Sequence, residues 1–125
     1  MATDSIDYDG LMQANLTEVF GNRDVVQRVQ AIKRLFAEDA MLYEPEAAVQ
    51  GHAAIDAAVS QLLGRLPTDF VFSAVAPAAG HHGMGRLSWR LGPPDGPPAV
   101  TGMDLAQISE GCIQALFVFL DSAGQ

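Results

Sequence analysis

VTGMDLAQISEGCIQALFVFL, residues Val100 to Leu120, reads as the inner part of two long β-strands, Ala99–Ser109 and Cys112–Leu120, joined at Glu110-Gly111. Strand side chains alternate between the two faces of a sheet, so Val100, Gly102, Asp104, Ala106 and Ile108 share one face. Upstream, Gly85 to Leu91 (GRLSWRL) alternates in the same way, with Leu87, Trp89 and Leu91 on one side and Arg86, Ser88 and Arg90 on the other. Between these runs, Gly92 to Pro98 (GPPDGPP) suits only a stiff hairpin loop. Phe70 to Val75 (FVFSAV) is a further β-rich run, closed by Pro77.

The period changes in the first half of the chain. Met12, Leu16, Val19 and Phe20 recur at helical spacing, and Gly21 supplies a stop. Asp24 opens a second helix with Gln27 placed for a capping box, and its apolar stripe is Val25, Val29, Ile32, Leu35 and Phe36. A strand over Ala40–Glu44 and a short one over Ala47–Gln50 precede the turn at Gly51. Ile55, Val59, Leu62, Leu63 and Leu66 then mark a third helix that Pro67 ends, with His52 in its first turn. Helices followed by a run of antiparallel strands make an α+β fold. The expectation is one domain over residues 1–125, with a core from about 11 to 121. Three helices pack into a cone-shaped, curved, mostly antiparallel sheet whose open end is a pocket.

Bulk properties narrow the function. The 125 residues suffice for a sizeable core, and 49% hydrophobic against 18% charged residues argues against disorder. A net charge of −8, with seven basic residues scattered along the chain, argues against nucleic acid and anionic membranes as partners. No apolar run approaches the roughly 20 residues of a membrane span. The first ten residues, MATDSIDYDG, lack the basic and apolar regions of a secretion signal. Cys112 is the only cysteine, which rules out an internal disulfide and a thiolate cluster, and its apolar surroundings suggest a buried, inert thiol. A cytoplasmic location is expected.

Asp104 is the most informative residue. Its carboxyl sits mid-strand on an apolar face between Gly102 and Ala106, two small neighbours that leave space beside it. Such a setting disfavours the charged form and makes a carboxyl a general acid or hydrogen-bond donor near neutral pH. The alternative is a solvent-exposed face, or a structural ion pair with Arg86 or Arg90. Glu44 ends the first strand immediately before Pro45, and is either a solvated turn residue or a carboxylate aimed into the pocket. Tyr43 projects to the face opposite Glu44, so only one of the two faces inward unless the strand bulges. Trp89 is either core or pocket wall. His81-His82 lies in a turn between Gly80 and Gly83, and adjacent histidines on a strand point apart, so no metal site is expected. Glycine-rich phosphate loops and serine-nucleophile motifs are absent, and no cofactor is implied.

The order of these elements resembles the SnoaL-like polyketide cyclases, within the nuclear-transport-factor-2-like (cystatin-like) superfamily that also holds ketosteroid isomerase. The resemblance runs from about Leu11 to Asp121 and rests on RLFAEDAMLYEP (Arg34–Pro45), VQGHAAI (Val49–Ile55), SWRLG (Ser88–Gly92) and TGMDLAQISEGCIQALFVFLD (Thr101–Asp121). It implies a proton-shuttling carboxylate at Glu44 and an acidic donor to an enolate at Asp104, the latter position also resembling the cyclases' catalytic aspartate. The chain departs from ketosteroid isomerase where the first helix reads Gln13-Ala14-Asn15-Leu16 and offers no tyrosine. It departs from limonene epoxide hydrolase too: Arg86 matches the arginine, but Ser88 and Val118 stand where the carboxylates would be. The expected ligand is therefore a small apolar molecule in a pocket built from Asp104, Glu44, Trp89, Tyr43, Gly102 and Ala106. The reaction expected is isomerisation or cyclisation of a carbonyl compound, the alternative a non-catalytic ligand-binding or dimerisation module. A homodimer through the outer sheet face is also expected, because three helices cover only one side. That face is read as Thr101, Met103, Leu105 and Gln107 beside Cys112, Leu116, Val118 or their alternates.

Overall fold

A computed structural model describes residues 5–121. Helix α1 (Tyr8–Ala14) continues without a break into a π-helical stretch, Asn15–Phe20, and is followed by α2 (Val25–Leu35). Strands β1 (Phe36–Glu44) and β2 (Ala47–Gln50) lead to α3 (His52–Gly64). Then come β3 (Val71–Ala74), β4 (Ala79–His81), β5 (Met84–Gly92), β6 (Val100–Ser109) and β7 (Cys112–Leu120). The strands form one sheet in the order β2-β1-β7-β6-β5-β3, with β4 pairing alongside β5. Only the β1–β7 pair is parallel. The sheet is curved and unclosed, its concave side packed against the helices, which is the α+β cone that the change of period implies.

The first helix buries Met12, Leu16, Val19 and Phe20 as their spacing requires. Its wider second half also turns Asn15 inward, because the longer π turn shifts the buried stripe. Asp24 caps α2 by accepting from the Gln27 backbone N–H at 3.1 Å. The reciprocal half of the box is missing: the Gln27 side chain accepts from Asn22 instead, and Asn22 Oδ1 takes the Asp24 N–H. The stripe of α2 differs from expectation. Val25 is 52% exposed, whereas Arg28 is buried to 2% with Ala31, Ile32 and Leu35. Phe36 opens β1 and does not close the helix, so β1 begins four residues earlier than expected. Helix α3 ends at Gly64 with Arg65 as its cap, ahead of Pro67.

The register of the long strands sets up the site. Leu87, Trp89 and Leu91 of β5 are all buried, as are Gly102, Asp104, Ala106 and Ile108 of β6. Glu110 (φ 52°) and Gly111 (φ 81°) form a tight turn with two left-handed residues, which suits a two-residue hairpin. A bulge follows in β7: Ile108 pairs with Ile113 but Gln107 with Ala115, so one extra residue shifts the alternation. Beyond the bulge Leu116 and Val118 pair with Ala106 and Asp104 on the inner face. Of the two sets left open for the outer face, the alternates therefore occupy it: Phe117 and Phe119 stand there opposite Leu105 and Met103. Cys112 is half-buried and not sealed in the core, because it lies at the hairpin end of the sheet.

Strand β4 went unread in the sequence because three exposed residues, Ala79-Gly80-His81, carry no apolar pattern. It makes a hairpin with β5 through His82 (φ 53°) and Gly83 (φ 82°). The left-handed backbone at His82 folds its ring back, so His81 Nδ1 and His82 Nδ1 lie 2.9 Å apart, contrary to the divergence expected of adjacent strand residues. No helix among the described residues is long and apolar enough to cross a membrane.

Candidate active site

Inside the cone lies a cavity of about 170 Å³. The helices contribute Leu16, Phe20 and Leu62, joined by Leu66 just beyond α3, and the sheet contributes Phe72 and Leu91 among others. Two carboxyls stand in this apolar lining, Asp104 and Glu44.

Asp104 is 4% exposed. Trp89 Nε1–H donates to its Oδ1 at 2.9 Å. Burial drives the carboxyl pKa up to about 7, with the Trp89 hydrogen bond pulling weakly the other way. The ionic alternative is excluded by placement. Arg86, Ser88 and Arg90 alternate with the buried residues of β5, and the Arg90 guanidinium donates to the Gly96 carbonyl at 2.7 Å. Among the described residues the ion pairs are Arg28–Asp56 and Arg34–Glu18, neither of them at Asp104. Among the described residues Oδ2 of Asp104 has no hydrogen-bond partner, yet it is not sealed away like Asn15 Oδ1, a buried side-chain atom that lacks both partner and solvent. The cavity is what reaches it.

Trp89 is both core and wall: it is buried and lines the cavity. Its ring meets Phe72 edge-on at 5.4 Å and 71°, and Phe72 meets Phe20 at 6.3 Å and 76°, so the three rings form one continuous wall. Gly102 lies opposite Trp89 in the β5–β6 pair. A Cβ there would collide with the indole and lie 2.6 Å from the Phe119 carbonyl oxygen. Gly102 is therefore the seat that lets Trp89 lie flat on β6 and reach Asp104, two residues along. It does not line the cavity, and neither does Ala106, which is buried beside its cross-strand partner Leu116.

The register of β1 decides between Glu44 and Tyr43. Leu42 pairs with the buried Leu116, so Glu44, two residues on, shares the inner face and lines the cavity beside Pro45. Burial raises the Glu44 pKa, and the charge of Arg65 opposes the rise. Tyr43 points outward and stacks on Phe117 at 4.6 Å and 14°, so it is no part of the cavity. Sequence reasoning missed Phe20, Phe72 and Leu66 as wall residues. Their apolar character marks them as core, and nothing local separates core from cavity lining. No group of three or more His, Cys, Asp or Glu side chains that could hold a metal occurs among the described residues.

An acid that titrates near neutral pH deep in an apolar cavity can, in its protonated form, donate to a carbonyl or enolate oxygen, and a second carboxyl in the same lining can accept a carbon-bound proton. No family profile and no curated protein matches the sequence. Solved structures do. A SnoaL-like family protein from Agrobacterium tumefaciens, proposed as an isomerase, is 26% identical with a TM-score of 0.84, covering 92% of this chain and 97% of its own. A proposed ketosteroid isomerase from Kribbella flavida matches at 16% identity and TM-score 0.71, over 98% and 84% of the two chains. A protein of ketosteroid isomerase-like fold from Catenulispora acidiphila, in complex with trimethylamine, matches at 13% identity and TM-score 0.69, over 87% and 83%. The fold is the SnoaL-like, nuclear-transport-factor-2-like one, which the quoted sequence motifs resemble.

Proposed function

We propose that the protein binds a small apolar carbonyl compound in the cone and moves a proton within it, as an isomerase or cyclase without a cofactor. The observation that carries this reading is Asp104: a carboxyl 4% exposed, opening on an apolar cavity, with a neutral indole as its protein partner. The Glu44 carboxylate takes a proton from the carbon next to the carbonyl, and Asp104 donates a hydrogen bond to the oxygen on which charge develops. Glu44 then returns the proton to carbon, so the reaction is redox-neutral. The Catenulispora acidiphila neighbour is in complex with trimethylamine, which supports a small molecule as ligand for a protein of this fold.

A second reading, a ligand-binding module without catalysis, is favoured by one feature. The helical side of the cavity presents Leu16 and Phe20, with no hydroxyl to share the load with Asp104. Proton exchange separates the two. Incubation of single-ring β,γ-unsaturated ketones in D2O should exchange and isomerise them, and Asp104→Asn and Glu44→Gln should each lower the rate by about 10²-fold or more. Binding without exchange in the wild type would establish the module instead.

We also propose a homodimer through the outer sheet face, where Tyr43, Phe117, Leu105, Met103 and the 55% exposed Phe119 form an apolar patch. Light scattering at micromolar concentration distinguishes it from a monomer. The single thiol fits a reducing compartment such as the cytoplasm.

A further inference from the structure

We infer that the cavity selects a single-ring ligand that carries no negative charge, an inference that rests on reading the cavity as the ligand site. Pockets for drug-sized ligands measure about 300–1,000 Å³, whereas an apolar cavity of about 150 Å³ accepts benzene. At about 170 Å³ this one belongs with the latter. A four-ring molecule is several times the size of the single ring that such a volume holds, and the wall has little freedom to retreat. Trp89 is held at one end by Asp104 and supported from beneath by Gly102, with Phe72 meeting it edge-on and Phe20 behind.

Charge selection follows from the lining. It contains Glu44 and Asp104 and no Lys, Arg or His. Arg65, whose charge reaches Glu44, is exposed and lies outside the lining. An anionic ligand would lose its hydration with no cation to replace it, and would enter against the net charge of −8.

Trp89 is the only tryptophan, so its emission reports directly on the cavity. Cyclohexanone, 2-decalone and a four-ring steroid ketone are titrated against the protein by fluorescence and calorimetry, with cyclohexanemethanol and cyclohexanecarboxylate as the charge pair. Hydrophobicity alone orders affinity by ring count. The expected order is the reverse, with cyclohexanone bound about tenfold or more tightly than decalone and the steroid not bound. The carboxylate should bind at least about tenfold more weakly than the alcohol. Phe72→Ala should admit decalone with a gain of about tenfold, and Leu66→Ala serves the same purpose should the first variant fail to fold. A steroid bound more tightly than cyclohexanone overturns the size limit, and equal binding of carboxylate and alcohol overturns the charge rule; either leaves the cavity standing as a ligand site. Silence of Trp89 and of the calorimeter toward every probe removes the ligand site itself, and the inference with it.

Discussion

Arg28 and Asp104 are both charged by type and both almost wholly buried, at 2% and 4% exposure, yet their surroundings differ in kind. Arg28 braces α2 against α3. Its Nε donates to Asp56 Oδ1 at 2.8 Å, one Nη to the Asn22 carbonyl at 2.8 Å, and the other to the Ser60 hydroxyl. Each arm of the guanidinium fork has an acceptor, one of them a full negative charge, so its desolvation is offset. Asp104 has a single neutral donor and an oxygen left to the cavity. Its desolvation is not offset, and the cost appears as a raised pKa. Compensation marks a structural charge; under-compensation beside a cavity marks a group free to bind and exchange a proton.

The largest effect should come from breaking the compensated site. Asp56→Ala strands a buried guanidinium, and the expected loss is about 3 kcal/mol, read as a lower urea midpoint. Converting both partners, Arg28→Met with Asp56→Leu, should recover most of it. Full recovery of stability in the single variant would show that Arg28 finds solvent and that the contrast with Asp104 is false.

Asp104→Asn should act with the opposite sign. The folded pKa of about 7 lies above the unfolded carboxylate value, so the unfolded chain releases its proton first as pH rises. Wild-type stability therefore falls from about pH 4 up to about pH 7 and levels off above that. The amide keeps an oxygen for Trp89 and has no charge to bury. The variant should match wild type near pH 4 and exceed it by on the order of 3 kcal/mol at pH 8, seen in thermal melts across that range. A variant less stable than wild type at pH 8, with the gap closing in acid, would mean an ionised, paired Asp104 and would end its candidacy as an acid.

The smallest effect sharpens the contrast. Trp89→Phe removes the one donor to Asp104, at a cost of about 1 kcal/mol. Because that hydrogen bond lowers the carboxyl pKa, its loss should raise the titration midpoint of the Asp104 side-chain carbon in NMR, by less than about one unit. A midpoint that falls would show that another group, not the indole, stabilises the ionised form.

The local patterns of the chain carried much of this. Helical spacing placed Met12, Leu16, Val19 and Phe20 inward, and strand alternation put Leu87, Trp89, Leu91 and Asp104 on buried faces, because side-chain direction repeats with a period that neighbours along the chain define. The Glu110-Gly111 turn was equally legible, since two left-handed residues in a row suit few sequences. Strand β4 was not, as three exposed residues have no period to detect. Arg28 left a trace that goes unread without the fold: it stands on the apolar side of α2, and Asp56 and Ser60 stand four apart on α3, but nothing links two helices 28 residues apart until they pack.

By itself, then, the sequence determined the α+β architecture, the alternation of faces around Asp104 and the apolar setting of that carboxyl, all of which depend on periods of two or 3.6 residues. The tertiary structure alone decided that Trp89 and not an arginine answers Asp104, that Glu44 faces the cavity while Tyr43 stacks outside, and that the space between them is only about 170 Å³. Those outcomes hang on a bulge in β7, a parallel pairing of β1 with β7 and a Cβ missing at Gly102. Each is a relation between chain segments that are distant in sequence, and local periodicity contains no information about such distances.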